Sequence, residues 1–287
     1  MKVNFVWLRA FTISILTVFS ILVWLPVADS AESATDLLEV RFMDVGQGDA
    51  IYVRTPDGVE VVIDGGASTA VLLELAKDRS LFDRSLDVVI ATHPDTDHVG
   101  GLNDVLERYQ VGTILWTEVD HEAAAARAFA RAAAAEGAKL ISAQAGQVIQ
   151  LGASTTMRVL SPFGDTSNWE SNAASIIVQL TYGDIDFMLT GDAPMGIEDY
   201  LSKTHGASLA SEVLKLGHHG SKTSTSDLFL SVVQPDYAVV SAGRDNRYGH
   251  PNTEVVERTL NAGAKILNTA EEGTIIFKTD GKAVWVK

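Results

Sequence analysis

Residues 93–98 read His-Pro-Asp-Thr-Asp-His and run directly into Val99-Gly100-Gly101. Two His and two Asp fall within six positions, between the apolar run Leu86-Asp87-Val88-Val89-Ile90-Ala91 and a segment with helical spacing over Val99–Tyr109. A strand, a loop of ligands and a helix N-terminus in that order restrict the chain to folds that open a site at a strand end. His93 and Asp95 lie two apart on an extended chain and share one side, while Asp97 and His98 sit at the helix start. Helix capping asks for one Asp; two Asp and two His together point to a metal. The chain has no Cys, which excludes thiolate ligands and disulfides, and a carboxylate–imidazole set suits Zn²⁺ or Mn²⁺.

The surrounding pattern is α+β. Strands are predicted over Leu38–Asp44, Asp49–Arg54, Val59–Asp64, 87–92 and Thr113–Trp116, and helices over Ser68–Lys77 and Val99–Tyr109. The Ala-rich segment Glu122–Glu136 is a strong helix former that Gly137 stops. The second half repeats the style. Strands are expected at 139–142, 148–151 and 155–160, a hairpin over Ser175–Tyr182 and Ile185–Thr190, and then strands at Glu212–Leu216, Tyr237–Ser241, 265–268, 273–278 and 283–286. Helices are expected at Met195–Thr204, Thr225–Val232 and Thr253–Ala262. Two blocks of strands with outer helices imply mixed sheets and a four-layer αββα sandwich, as one domain over 36–287.

Met1–Ser30 stands apart. Lys2 and Arg9 precede the uncharged run Ala10–Leu25, Pro26 ends it, and Ala28-Asp29-Ser30 offers small residues for cleavage. This is the pattern of a secretory signal peptide and predicts an exported protein, periplasmic or extracellular. The alternative is an uncleaved anchor formed by residues 10–26, since the run approaches the roughly 17 residues of a short span. Cleavage would leave no stable membrane insertion. The oligomeric state cannot be read from the chain.

Formal net charge is −15. A nucleic-acid binder usually carries a basic footprint, so any footprint here must be local, with Lys222, Arg244 and Arg247 as candidates, or come from bound metal.

His-x-Asp-x-Asp-His-x-Gly-Gly resembles the signature loop of the metallo-β-lactamase superfamily, with Asp95 where most members have a second His. The Asp form is similar to the soluble metallo-hydrolase domain of ComEC-type competence proteins. Phe42–Ala50 resembles that group's opening Asp-Val-Gly-Gln-Gly-Asp motif, Val62–Gly66 the superfamily's first acidic motif, and Leu189–Asp192 the segment of the bridging Asp. Leu216–Ser221 resembles the segment of the last His ligand, and Ser241–Pro251 the late loop. The motifs run in order from 38 to 287, which makes them far more specific together than singly.

The resemblance implies a metal-dependent hydrolase with two divalent ions, Zn²⁺ or Mn²⁺, sharing a hydroxide. Site one would use His93, Asp95 and Asp192, with Asn172 near the position of a third His that this chain lacks; His121 comes too early and in a loop. Site two would use Asp97, His98, Asp192 and one of His218 and His219. The oxygen-rich first site favours Mn²⁺ or partial filling. If the two histidines end an extended strand they point to opposite sides; His218 is taken as the ligand and His219 as an outer residue or proton donor. Asp64 would orient a ligating His. Asp97, His219 and His250 are the catalytic candidates, with Tyr248 and His250 either structural or in contact with substrate. Ser221, Ser224 and Thr225 would cradle an oxyanion or cap a helix. Asp44 and Asp49 are read as structural hydrogen-bonders. The implied substrate is a phosphodiester, in nucleic acid or a small molecule. The alternatives are a small ester, lactone or amide, favoured by the acidic chain, and a non-catalytic metal-binding module of the envelope.

Overall fold

The computed structural model describes residues 36–77, 79, 83–119 and 121–287; the expected signal segment lies outside them. The first half gives β1 (Leu38–Phe42), β2 (Ile51–Arg54), β3 (Glu60–Ile63), α1 (Ala70–Ala76), β4 (Ser85–Ala91), α2 (Thr96–Arg108), β5 (Gln110–Trp116), α3 (Ala124–Glu136) and β6 (Lys139–Ser142). The second half gives β7 (Val148–Gln150), β8 (Thr155–Ser161), β9 (Ile177–Tyr182), β10 (Ile185–Leu189), α4 (Met195–His205), β11 (Val213–Lys215) and α5 (Asp227–Val233). It ends with β12 (Tyr237–Val240), α6 (Thr253–Asn261), β13 (Lys265–Asn268), α7 (Thr269–Glu272), β14 (Ile275–Thr279) and β15 (Val284–Val286).

These strands form two mixed sheets, ordered β15-β14-β1-β2-β3-β4-β5-β6 and β13-β12-β11-β10-β9-β8-β7. In the first, β3 through β6 run parallel; in the second, β10 through β13 do. The hairpin between β9 and β10 turns at Gly183-Asp184 as expected, with Tyr182 opposite Ile185. Gly137 closes α3 in the left-handed conformation that glycine adopts without strain.

Alternation along β1 buries Leu38, Val40 and Phe42 and leaves Glu39 and Arg41 half-buried. Their partners on the second sheet include Met157, Val178, Leu180 and Phe187, so the central core lies between the sheets. A second core packs α1, α2 and α3 on the outer face of the first sheet, through Val71, Leu102, Val105 and Phe129. A third packs α4, α5 and α6 on the second sheet, through Leu201, Phe229, Leu230 and Val255. Each such side chain contributes about 1.5–3 kcal/mol by leaving water. The order helix, sheet, sheet, helix is the expected four-layer αββα sandwich.

Candidate metal centre

Parallel neighbours end at the same edge, and ligands of open α/β sheets gather outside those carboxyl ends. Here β3 delivers Asp64 and β4 delivers Thr92 and His93 from the first sheet. From the second, β10 delivers Asp192, β11 ends in Lys215 just before His218 and His219, and β12 delivers Ser241.

The ligand loop rests on main chain. Asp49 N donates to the Asp97 carbonyl at 3.2 Å, Gly65 N to the His98 carbonyl at 2.7 Å, and Gly101 N to the Gly66 carbonyl at 2.9 Å. A methyl group on Gly101 would come within 2.1 Å of the Gly65 oxygen, and one on Gly48 within 2.0 Å of the Asp97 oxygen. The glycines are there because the backbones touch.

Two imidazoles are aimed by their outer nitrogens. His98 Nδ1 lies 2.8 Å from Asp64 Oδ2. That carboxylate also accepts from Thr92 N at 2.8 Å and the Thr92 hydroxyl at 2.6 Å. His219 Nδ1 donates to the Ser241 carbonyl at 2.9 Å. With one proton held on Nδ1, Nε2 of each ring is the atom that would give its lone pair to a cation in exchange for its own proton. His98 Nε2 stands 3.4 Å from Asp192 Oδ2, and His219 Nε2 stands 3.3 Å from both Asp192 Oδ2 and Asp97 Oδ2. Ligands about 2.1 Å from one tetrahedral ion lie roughly 3.4 Å apart. The Nε2 atoms of His93, His98 and His219 and Oδ1 of Asp192 are buried without a hydrogen-bond partner. Each unpaired group costs about 1–3 kcal/mol, and a divalent cation is the partner this donor set fits.

Asp49, His98, Asp192 and His219 offer ligand atoms within 4.8 Å of one another. Asp49, however, lies on the Nδ1 side of the rings, 3.3 Å from His219 Nδ1 and 3.9 Å from His98 Nδ1. The Nε2 side belongs to Asp97 and Asp192, so those two complete the set of atoms that could hold an ion. Asp49 instead pairs with Lys215, whose Nζ also donates to the Gly191 carbonyl at 2.9 Å and lies 3.5 Å from Asp192 Oδ1.

Lys215 is fully buried, and none of the sequence motifs includes it. A lysine inside Val213-Leu214-Lys215-Leu216 carries a signal nonetheless: strands of parallel sheets are buried on both faces, and an unpaired Lys is almost never found there. Burial pushes the Asp49 carboxyl up, but Lys215 and His219 hold it below its ordinary value. Asp192 is held well below by His219, His98 and Lys215 against the same burial. Burial lowers the His98 and His219 rings, and the facing carboxylates, Asp192 foremost, raise both well above their usual range.

The histidine pair differs from expectation. Gly217–Gly220 is a tight turn in which His218 and His219 take φ of 47° and 56°, so the alternation of an extended strand is lost. His219 is the inner ring. The His218 side chain is 29% exposed, with Nε2 3.8 Å from Asp192 Oδ2 and Nδ1 3.3 Å from the Thr223 hydroxyl. The placement is the reverse of the one expected.

Asp95 holds the N-cap position of α2 without a side-chain bond to the helix and is one-third exposed. It accepts from the Ser171 hydroxyl at 2.6 Å, one residue before Asn172, whose Oδ1 is buried and unpaired. Its Oδ2 lies 3.7 Å from His93 Nε2, and its Oδ1 only 3.3 Å from His121 Nε2. The β5–α3 connection thus returns to the ligand loop the histidine that sequence order set aside.

His250 lies 5.6 Å from the His218 ring and 5.7 Å from a Tyr248 that is 70% exposed. The oxyanion cradle is not formed. Thr225 N and Ser226 N donate to the buried Glu198 carboxylate at 2.7 and 2.8 Å, and the Ser224 hydroxyl donates to the Gly217 carbonyl. Ser221 bonds Thr223 within the loop, and the helix cap is Ser226.

The profile described as "Metallo-beta-lactamase superfamily" matches residues 43–244. ComE operon protein 3 of Bacillus subtilis (strain 168) is 29% identical over 84% of this chain and 33% of its own length. Competence protein ComA of Neisseria gonorrhoeae is 31% identical over 83% of this chain and 32% of its own length. The chain therefore spans about a third of these curated relatives. Among solved structures, the metallo-beta-lactamase fold protein YhfI from Bacillus subtilis superposes with a TM-score of 0.53 at 13% identity, covering 86% of this chain and 99% of that one. With motifs, two-sheet topology and a convergent donor set in agreement, the chain belongs to the metallo-β-lactamase superfamily and is related to the ComEC-type competence proteins.

Proposed function

We propose that the protein is a metal-dependent hydrolase of phosphodiester bonds in which Asp97, His98, Asp192 and His219 hold one divalent cation. His93, Asp95 and Asp192 offer a second, oxygen-rich and less complete site for Mn²⁺ or Zn²⁺. The observation that carries this reading is the convergence of unpaired His98 and His219 Nε2 atoms on Asp192 at 3.3–3.4 Å. A divalent cation bound there supplies Lewis-acid activation of water and neutralises charge on the substrate's oxygens.

The chain's own groups do the rest. Asp64 and the Ser241 carbonyl hold both rings in one tautomer. Lys215 compensates the charge of Asp49 and Asp192 from inside the fold. His218 and His250 stand at the rim with ring nitrogens able to pass a proton to a leaving group, and exposed Tyr248 lies beside them.

The phosphodiester class is supported by the competence relatives, which match most of this chain. A small ester, lactone or amide is supported by the net charge of −15, since polyanions need cationic compensation. Residues 1–30 support export; among the described residues no helix is long and apolar enough to cross a membrane.

The deciding experiment strips the purified protein with chelator, reloads it with Mn²⁺ or Zn²⁺, and assays a generic phosphodiester beside a lactone and a β-lactam. Phosphodiester turnover lost in Asp97→Ala and Asp192→Ala is expected. Equal turnover in both variants and the native protein overturns the metal assignment. Metal binding without turnover of any substrate identifies the silent envelope module instead.

A further inference from the structure

A cavity of about 300 Å³ opens beside Pro94 and His121, between the His93–His98 loop and α3. Pro94, from within the ligand loop, forms one wall, and His121, 3.3 Å from Asp95, stands at the junction. Trp116, Val119 and Phe129 supply apolar surface, while Thr117, Glu118 and Arg127 supply polar groups. Thr117 is only 5% exposed, yet its hydroxyl has no hydrogen-bond partner.

We propose that this cavity holds one unpaired nucleobase of the substrate. The inference rests on the phosphodiesterase reading and narrows it. Three observations carry it. Aromatic and aliphatic walls with the exposed Glu118 carboxylate and Arg127 guanidinium at their edge match a flat heteroaromatic ring with donors and acceptors on its rim. The volume lies at the bottom of the range for ligand pockets, about 300–1,000 Å³, which gives room for one ring system and not for a base pair. The chain is strongly acidic, so contacts to successive phosphates cannot supply most of the affinity; stacking can, at about 1–3 kcal/mol per base. The substrate is accordingly a small nucleotide diester or an unpaired end, with its phosphate at the metal centre and a base under α3.

The test compares kcat/KM for thymidine para-nitrophenyl phosphate and methyl para-nitrophenyl phosphate, which share a leaving group, using the full chain. The native protein is expected to favour the nucleoside ester by about tenfold or more. Ala130→Trp, which fills the cavity from α3, should bring that ratio to about one. Arg127→Ala should lower it several-fold; Arg127 is exposed, and its guanidinium also donates to the Glu122 carbonyl. A preference unchanged in Ala130→Trp overturns the proposal. If neither ester is hydrolysed, the phosphodiesterase reading fails and the cavity is judged by binding alone. Saturable quenching of tryptophan fluorescence by thymidine or adenosine monophosphate, lost in Ala130→Trp, sustains it, and no saturable binding of either overturns it.

Discussion

The inner flank of the candidate metal centre holds His98, His219, Asp49, Asp192 and Lys215, whose side chains are at most 3% exposed. On the outer flank, Asp95 is 33% exposed and His121 31%. The inner groups come from both sheets, and each is held by a second group: Asp64 behind His98, Ser241 behind His219, Lys215 behind Asp49. Asp95 has one short bond, to Ser171, and a histidine from a loop. The inner flank therefore carries charges that the fold must satisfy whether or not substrate is present, while the outer flank can vary with little consequence for folding. A single centre thus combines a structural half and a tunable half.

The largest effect should come from cutting the group both flanks share. Asp192→Ala should lower metal-supported turnover by about 10³ or more and remove the ion from the inner flank, read by metal content after gel filtration. Next is Lys215→Met, which takes the buried ammonium from Asp49 and Asp192 and leaves His98 and His219 as their remaining cationic partners. Loss of one partner from a buried ion pair costs about 3–5 kcal/mol, measured by urea unfolding in chelator. A cost under about 1 kcal/mol would mean that the inner flank is not structural.

Glu198 offers a pH test of the same flank, because it braces the loop carrying His218 and His219. Burial pushes its carboxyl up to about 7, against the two backbone N–H groups that favour the anion. A raised folded value means that its contribution to stability is complete below about 4.5 and is lost as pH rises through about 7. Relative to Glu198→Gln, the native protein should lose on the order of 3 kcal/mol across that interval. Parallel stability curves for the two proteins would remove Glu198 from the account.

Smaller still, Asp64→Asn should weaken metal binding by about 10–100-fold, as removing the group behind a ligating His typically does. Asn tolerates the φ of 57° at this position, so calorimetric titration with Mn²⁺ reads orientation and not misfolding. His121→Ala, on the outer flank, should change stability by no more than about 0.5 kcal/mol, by thermal unfolding in chelator. A larger loss would extend the structural half to the outer flank.

Much of this was legible in the chain. Strand alternation, the Ala-rich helix and the Gly183-Asp184 hairpin follow from local periodicity and turn chemistry, and the ligand loop announced itself by its density of His and Asp. What stayed hidden depended on distance or on backbone conformation. Lys215 looks like a solvated charge until its strand is known to lie inside a parallel sheet. His121 is 23 residues past His98 in sequence, and only the β5–α3 connection returns it to Asp95. The reversal of His218 and His219 came from assuming an extended backbone where the chain takes a left-handed turn.

The glycine contacts beneath the ligand loop have one more implication. Because Gly48, Gly65 and Gly101 fix Asp97 and His98 through main-chain atoms, the mounting of the site is independent of the side chains it displays. Such a mounting works like a socket with a standard thread: Asp can replace His at position 95 without the socket being recut. Any residue with a side chain at Gly101 would strip the thread by driving into the Gly65 and Ser68 carbonyls, beside the main-chain bond from Gly65 to His98. Change in this centre is therefore open at the side chains and closed at the backbone.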